Sequence, residues 1–453
     1  MYILNHPAST QWPAYLAGAG RQPRQLQQGF RAQLTGVHPA YAPVMFPPPL
    51  FDAQQVGRIV QVSQAMLKLI ESIPERLFGG DYRALMAYQG MAQDDIDFLL
   101  NFTNPRHIAM ATAFARPDVL LTEDGFQFVE VNVAPPIGGL GICDRVRSAF
   151  SGDPYCAFLR ARGVACAAPH TGTVWGRCMR TLARRAARLA RPTFFEATAD
   201  PGENLGDDFT QPDFAALVAD SGFRLITGPI QQLEVRADGV FYRGERIDIV
   251  FTCFTCAESR RFVPRALLRA LAQADLREVV DFIAPPLSAV FDNKINFEIL
   301  SSAAFSHRFN AAERALIERH VPRTRRLSAA LLEQVAGDPA GYVLKPASEY
   351  GGIGVVIGAA VGAAAWRAAL EQALASGELY IVQDTITRPY LWRGGEAGTP
   401  HSMCLGPMLF GHAYAGTLLR HAPYGESAPV INCAQGAYLG TVFTAEALPR
   451  HLA

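Results

Sequence analysis

Residues 116–132 read RPDVLLTEDGFQFVEVN, and this pattern predicts a β-hairpin that ends in polar side chains. Two apolar arms flank the sequence EDG, which suits a tight turn. Glu130 and Asn132 are two residues apart on the second arm, so their side chains point to the same face. With Asp118 on the first arm they form a set of oxygen ligands suited to Mg²⁺, although polar strand ends are also common in structural roles. Arg116 stands where it can meet a phosphate or a carboxylate.

A second informative stretch, 342–358, reads YVLKPASEYGGIGVVIG and predicts a strand, a glycine-rich loop and another strand. Lys345 ends the first strand, and Gly351, Gly352 and Gly354 follow it. A point charge beside flexible backbone N–H groups is typical of a phosphate clamp. The common nucleotide motifs are absent, and an ordinary hairpin with a glycine-rich turn is the alternative.

Further along, residues 380–386 read YIVQDTI, an apolar strand that becomes polar at Gln383 and Asp384. Such a strand can offer backbone groups and one or two side chains to the edge of a purine buried between apolar walls. The alternative is a plain strand terminus.

The rest of the chain predicts an α/β fold with several subdomains. From 190 to 260 the pattern runs strand, helix, strand, hairpin, strand, which is typical of a small open α/β unit. Apolar periodicity predicts helices at 52–75, 94–101, 264–274, 292–303, 310–335 and 363–376. The C-terminal segments 404–420 and 428–443 predict antiparallel strands around the turn APYGESAP.

Composition limits the possible functions. The chain has 453 residues, of which 49% are hydrophobic and 18% charged, so it can bury a large core in two or three subdomains. Its formal charge is zero, which argues against nucleic acid or an anionic membrane as a partner. The basic stretch 180–191 predicts a solvated amphipathic helix. No leader pattern or long apolar run is present, so we expect a cytoplasmic protein.

The eight cysteines are scattered, which favours reduced thiols. Only Cys253 and Cys256 are spaced CxxC, and without a second pair we expect a buried strand rather than a zinc site. His401, His412 and His421 are candidates for deprotonating an amine, but structural roles are favoured.

Taken in order, these segments resemble the circularly permuted ATP-grasp proteins, including the synthetase part of glutathionylspermidine synthase. The resemblance covers roughly residues 105–445 and runs through RPDVLLTEDGFQFVEVN, DIVFTCF, DNKINFEIL, YVLKPASEYGGIGV, YIVQDTI and GTLLRHAP with VINCAQGAYLGTVF. In an ordinary ATP-grasp chain the lysines and the glycine loop come first and the metal-binding ExN last. Here Glu130 to Asn132 come first, as the permuted form requires.

The resemblance implies ATP and Mg²⁺ as cofactors and gives each candidate residue a role. Asp118, Glu130 and Asn132 would be metal ligands, Lys294 and Lys345 the nucleotide lysines, and Gly351, Gly352 and Gly354 the phosphate loop. Gln383, Asp384 and Ile386 would belong to the adenine strand, and Arg116 and Arg420 would face the transferred phosphate and the acyl phosphate.

Four regions are expected on this basis. They are a loop-rich and helical N-terminal region on the substrate side (1–104), the metal-binding hairpin part of the core (105–165), an inserted small α/β pre-grasp subdomain (190–262), and the nucleotide-binding part with the C-terminal strands (263–453).

The expected activity is ADP-forming ligation, in which a carboxylate becomes an acyl phosphate and is joined to an amine, with an amino acid or small peptide as substrate. One alternative is transfer of the acyl group to a thiol on a carrier protein, which would dock on the basic stretch. Another is a nucleotide-binding protein without ligase activity. Neither the substrates nor the oligomeric state follow from the sequence.

Overall fold

The computed structural model describes residues 7–34, 44–101, 104–134, 137–200, 212–283, 286–349, 351–393, 399–425, 431 and 436–449. Within these ranges the chain is a mixed α/β protein, as predicted. Most of the segment VINCAQGAY lies outside the described residues, as does part of the turn APYGESAP.

The first part of the chain is mainly helical and leads into the long hairpin. Its elements are α1 (Trp12–Ala19), α2 (Pro23–Ala32), β1 (Leu50–Phe51), α3 (Ala53–Phe78), α4 (Tyr82–Tyr88), α5 (Gln93–Leu100), α6 (Pro105–Met110), β2 (Phe114–Thr122) and β3 (Gly125–Val133). The helix predicted at 52–75 is α3, which begins where the Asp52 side chain accepts a hydrogen bond from the Gln55 backbone and ends at Gly79 with φ 61°. The predicted hairpin is β2 and β3.

The middle part is an open parallel α/β unit. Its elements are α7 (Leu140–Ser151), α8 (Pro154–Arg160), α9 (Thr171–Leu182), β4 (Thr193–Thr198), α10 (Pro212–Asp220), β5 (Arg224–Pro229), β6 (Leu233–Val235), β7 (Val240–Tyr242), β8 (Glu245–Ile247), β9 (Ile249–Thr252), α11 (Cys256–Phe262), α12 (Arg265–Leu276) and β10 (Asp281–Ile283). The sheet order is β10-β9-β4-β5, and β6, β7 and β8 form a separate antiparallel ribbon. Three of the four parallel strands fall inside the predicted unit at 190–262, while β10 lies beyond it.

The predicted basic helix at 180–191 is wrong. Helix α9 already ends at Leu182, and residues 186–188 form a single 3₁₀ turn. The Asp281 carboxylate accepts hydrogen bonds from the backbone N–H groups of Arg185 at 3.1 Å and Ala186 at 2.8 Å. These bonds turn the chain toward the parallel sheet, so a tertiary contact overrides local helix propensity.

The last part carries a small four-stranded sheet and the strands that complete the main sheet. Its elements are α13 (Ala289–Asp292), α14 (Ile295–Ser301), α15 (Ala303–Ser306), α16 (Ala311–His320), β11 (Thr324–Arg326), α17 (Ala329–Ala336), β12 (Tyr342–Pro346), β13 (Val356–Ile357), α18 (Ala363–Ala375), β14 (Tyr380–Asp384), β15 (Leu391–Trp392), β16 (His401–Phe410), β17 (Ala413–Pro423), β18 (Tyr438–Thr441) and β19 (Phe443–Thr444). The small sheet has the order β11-β14-β12-β13, and α17 and α18 pack on it around Trp366.

Two predictions in this part are wrong in detail. The helix predicted at 310–335 is interrupted after His320 by the segment containing Pro322, and β11 follows. The segment 404–420 is two strands rather than one, because Gly411 and His412 have positive φ and turn β16 back into β17.

The main sheet is antiparallel and positions the candidate site. Its order is β18-β17-β16-β2-β3, with β15 added beside β16. One face, with Val119, Leu405 and Leu419, packs into the largest apolar core, which includes α3. The other face carries the charged side chains of the hairpin, described below.

Candidate active site

The charged groups of the hairpin converge on one face of the main sheet. Asp118 is opposite Glu130 and Arg116 is opposite Asn132 in the β2–β3 register, so the four side chains share a face. Arg116 binds the Asp118 carboxylate through Nε at 3.0 Å and Nη2 at 3.2 Å. Arg420 reaches the same carboxylate with Nη2 at 2.7 Å, and Asn132 donates to it at 2.9 Å.

This cluster is buried and strongly polarised. Asp118 is 1% exposed, and Arg116 and Arg420 are each 8% exposed. Burial alone would raise the pKa of Asp118, but the two guanidinium groups outweigh it and hold the pKa below the usual value. The aspartate is therefore an anion that fixes both arginines in place.

Strand β16 passes beneath the cluster at Gly406. A Cβ atom on Gly406 would lie 2.7 Å from Oδ1 of Asp118 and 2.8 Å from Cδ of Arg116. Cys404, two residues earlier, accepts a hydrogen bond from Arg420 at 3.4 Å. The Nε atom of Arg420 is buried and has no partner among the described residues. The sequence interpretation missed Gly406, although a glycine inside an apolar strand is typical of a close approach.

Lys345 comes from β12 in the small sheet and bridges to the hairpin. Its Nζ donates to the Val129 carbonyl at 3.0 Å and to Gln383 Oε1 at 2.7 Å. Burial lowers the pKa of Lys345 to about 8; Lys294 adds to the shift, while Glu130 opposes it. The lysine thus lies against the strand that carries Glu130 and Asn132, two of the predicted metal ligands.

Lys294 directly precedes α14 and connects this helix with the hairpin and with the stem of the glycine-rich loop. Its Nζ lies 3.4 Å from Oε2 of Glu130 and donates to the Glu349 carbonyl at 2.5 Å. Its backbone N–H donates to the Ala347 carbonyl at 2.9 Å. The stem of the glycine-rich loop is therefore tied to the lysine and, through it, to the hairpin.

The glycine-rich loop needs its glycines for backbone conformation. Gly351, Gly352 and Gly354 have φ values of 67°, 78° and 69°, which are in the left-handed region. Ile353, between them, is 59% exposed. Strand β13 follows directly and pairs with β12.

The predicted adenine strand is the central strand β14. The Gln383 side chain is buried and bonded to Lys345 and Thr324, whereas Asp384 is partly exposed and lies 3.4 Å from Arg325. The backbone N–H groups of Asp384 and Thr385 donate to the carbonyls of Arg323 and Gly341, which directly precede β11 and β12. Ile386, just past the strand, is half-buried.

Asp292 is a site residue that the sequence interpretation missed. Its carboxylate accepts a hydrogen bond from the Val133 backbone at 2.7 Å, and it lines a small recess together with Glu130 and Lys294. Burial raises the pKa of Asp292 to about 6 despite the nearby Lys294. The sequence offers one clue, since Asp292 lies two residues before a predicted nucleotide lysine.

A second clue was available in the composition. Lysine occurs only at positions 68, 294 and 345, although lysine and arginine together number 41. Lys68 is exposed on α3, and the other two lysines are buried within this cluster. In a chain that otherwise uses arginine, two buried lysines in one cluster indicate a need for compact point charges.

The oxygen ligands fit a metal ion that is shared with phosphates better than one held by protein alone. Glu130 is half-buried, and among the described residues its carboxylate pairs with Lys294. Asn132 donates through Nδ2, which leaves its amide oxygen to bind a cation. Asp118 is committed to the two arginines. Within the described ranges no three His, Cys, Asp or Glu side chains are grouped as a metal cage. Mg²⁺ commonly takes one or two protein oxygens with waters and phosphates.

The other candidates lie outside this cluster or serve structure. His401 and His421 are buried, with their Nδ1 atoms 3.0 Å apart. His412 is partly exposed and pairs with Glu71 at 3.1 Å. Cys253 and Cys256 are free thiols, and Cys253 directly follows β9.

Comparisons with known proteins address the fold alone. The sequence matches no family model and no curated protein. No helix in the described part of the chain is long and apolar enough to span a bilayer. Among solved structures, a glutathione synthetase-like effector from Globodera pallida in its apo form superposes with a TM-score of 0.56 and 14% identity, covering 99% of this chain and 100% of that one. The chain therefore has the overall fold of a glutathione synthetase-like protein.

Proposed function

We propose that the protein is an ADP-forming ligase of the ATP-grasp type, in circularly permuted form, that activates a carboxylate and joins it to an amine. The observation that carries the proposal is the convergence of Lys345, Lys294 and Glu130, from three separate segments, beside the two arginines held by Asp118. A purely structural core would not be expected to contain so many charges, because each buried charge is unfavourable unless it is paired or binds a ligand.

The charges suit phosphoryl transfer from ATP to a carboxylate. In the proposed reaction Lys345 and Lys294 bind phosphate oxygens, and Arg116 and Arg420 offset the charge of the attacking carboxylate. Glu130 and Asn132 are the residues that would hold Mg²⁺, which would draw charge from the transferred phosphate. In this assignment Asp118 orients the arginines and joins the metal only if they move away from it.

Exclusion of water falls to the glycine-rich loop. Its stem is bonded to Lys294, and its left-handed glycines allow the backbone to approach phosphates closely. An acyl phosphate formed beneath it would then meet the amine rather than water.

We would test the proposal by measuring ADP release from ATP and Mg²⁺ over a panel of amino acids, small peptides and amines. We expect substrate-dependent ADP, abolished by Glu130→Ala and by Lys345→Ala. Arg388→Ala is a matched control, because Arg388 is exposed and, within the described part of the chain, its side chain pairs with the turn residues Glu123 and Asp124.

Three other outcomes would redirect or contradict the assignment. Tight ATP binding without turnover, even with a carrier protein in the panel, would favour a nucleotide-binding protein without ligase activity. No ATP binding at all would contradict the proposal. Turnover only with a carrier thiol would favour acyl transfer, with docking limited to the exposed Arg184, Arg188 and Arg191, since Arg185 is engaged by Asp248.

A further inference from the structure

A short chain of hydrogen bonds runs from a loop of the small sheet to Lys345. The Thr324 hydroxyl donates to the Pro322 carbonyl at 2.8 Å. Gln383 Nε2 donates to the same hydroxyl at 3.1 Å, and Gln383 Oε1 accepts from Lys345 Nζ at 2.7 Å. Gln383 is 3% exposed and Thr324 is 2% exposed, so water does not compete for these groups.

Chemistry at both ends sets the orientation of the Gln383 amide. A hydroxyl has a single proton, and the Thr324 proton goes to the Pro322 carbonyl, which can only accept. The hydroxyl must therefore accept from Gln383, which places the amide nitrogen there. An ammonium can only donate, so the amide oxygen must face Lys345. The two ends select the same amide orientation.

The hydrogen-bonded partner of Lys345 in this series, the Gln383 amide, is neutral. The Gln383 amide oxygen and the Val129 carbonyl accept hydrogen bonds from two of the three ammonium N–H groups, and neither acceptor carries a net charge. A carboxylate in the same place would cancel the lysine charge, whereas an amide leaves it available to an anion. No described residue accepts from the third N–H, which can therefore donate to a ligand.

We propose that Gln383 is a positioning residue for Lys345: its oriented amide oxygen aims the ammonium at the phosphate site and leaves its positive charge uncancelled. The inference rests on the proposed function in taking ATP phosphates as the anion. In this assignment the Gln383 side chain binds the lysine rather than adenine. Adenine would then be bound by the main chain after Thr385.

The lysine content of the chain allows a direct test in the full-length protein without nucleotide. With ¹³C at the ε carbon of lysine, a proton–carbon correlation spectrum contains three signals, from Lys68, Lys294 and Lys345. The signal that disappears in Lys345→Arg is the signal of Lys345. The pH titration of that signal then reports the pKa of Lys345 in the wild type, in Gln383→Glu and in Gln383→Met.

The two variants should move this pKa in opposite directions. A carboxylate at position 383 favours the charged lysine and should raise its pKa by about one unit or more. Methionine, of similar size, removes the acceptor and should lower it. The Lys68 signal, from an exposed side chain, should not move. Shifts in the same direction, or no shift in either variant, would mean that Gln383 only fills space.

A second measurement separates this inference from the proposed function. Calorimetric titration with ATP and Mg²⁺ at pH 7 should show binding about tenfold weaker in Gln383→Glu than in the wild type, because the new carboxylate competes for the lysine. If the wild type binds no ATP, the proposed function fails while the lysine titration still decides the role of Gln383. If ATP binds and the titration is unchanged, the positioning role alone is overturned.

Discussion

Gly406 shows how closely single residues are fitted around the Arg116–Asp118 pair. We expect Gly406→Ala to lower the free energy of unfolding by about 1–3 kcal/mol, because its new methyl group would overlap a buried carboxylate and the stem of an arginine. Chemical denaturation would measure the change. Gly440→Ala is the control, since its Cβ would lie 3.9 Å from Leu419 in ordinary contact. Equal effects of the two substitutions would contradict the close fit.

The buried histidine pair predicts a loss of stability in mild acid. Burial and the neighbouring His401 lower the pKa of His421 to about 3. The unfolded chain, with an ordinary histidine pKa near 6.5, then binds more protons below that pH, so stability should fall as the pH drops from 6.5 toward 3. At pH 5 the loss from His421 is about 2 kcal/mol.

Denaturation midpoints at pH 7 and pH 5 would check this histidine effect. His421→Phe should reduce the difference between the two midpoints, since phenylalanine has no proton to gain and can still pack against Tyr438. His307→Gln, at an exposed position, should leave the difference unchanged. A His421→Phe protein with the wild-type acid sensitivity would rule out the pair as its source.

Between elements, helix α6 is tied to the parallel α/β unit through Arg106 and the neighbouring His107, which lies 3.5 Å from Asp275. Arg106 contacts Asp275 of α12 and lies 2.8 Å from Asp281 of β10, and both aspartates are buried. Arg106→Met should lower the free energy of unfolding by about 3–5 kcal/mol, because it leaves buried carboxylates without their counter-charge. Arg367→Met, which breaks an exposed pair with Glu333, should have no measurable effect in the same denaturation experiment. Similar decreases in the free energy of unfolding of both variants would show that burial does not determine the effect of losing an ion pair.

Elements were predictable where their cause is local. The hairpin β2–β3 follows from apolar arms and a turn sequence, and α3 follows from periodicity and the capping residue Asp52. Strand β11 was missed because its three residues become a strand only by pairing with β14. The place of β10 in the parallel sheet could not be predicted for the same reason, since β10 pairs with β9 across two intervening helices, α11 and α12.

The candidate site was predictable to a similar degree. The hairpin residues, both lysines and the glycine loop were identified from their segments and from resemblance. Gly406 and Asp292 were not identified, because each contacts a residue far away in sequence. Gly406 lies against Asp118, and Asp292 accepts a hydrogen bond from Val133. The relation between Gln383 and Lys345 also needs the register of β12 and β14, which sequence alone does not provide.

At the level of the complete fold, the candidate site joins the small sheet to the main sheet, so the nucleotide that we propose to bind there should tighten the connection between them. We expect amide hydrogen exchange of residues 347–357 to slow by about tenfold with ATP and Mg²⁺, which corresponds to roughly 1.4 kcal/mol of local stabilisation. Mass spectrometry of the exchanged peptides would measure it. The turn at Arg243 and Gly244, in the separate ribbon, should be unaffected. Equal protection of both segments, or of neither, would contradict closure of the glycine-rich loop.

The fold also brings early and late parts of the chain side by side. Strand β1 pairs in parallel with β19, and the Ala53 backbone donates to Glu446, 393 residues later. At a synthesis rate of about 5–20 residues per second, the first strand waits roughly 20–80 s for its partner to be made. During that interval its edge and the apolar residues around it are unpaired. This region therefore cannot assemble until β19 has been made, and we expect the nascent chain to depend on chaperones during that interval.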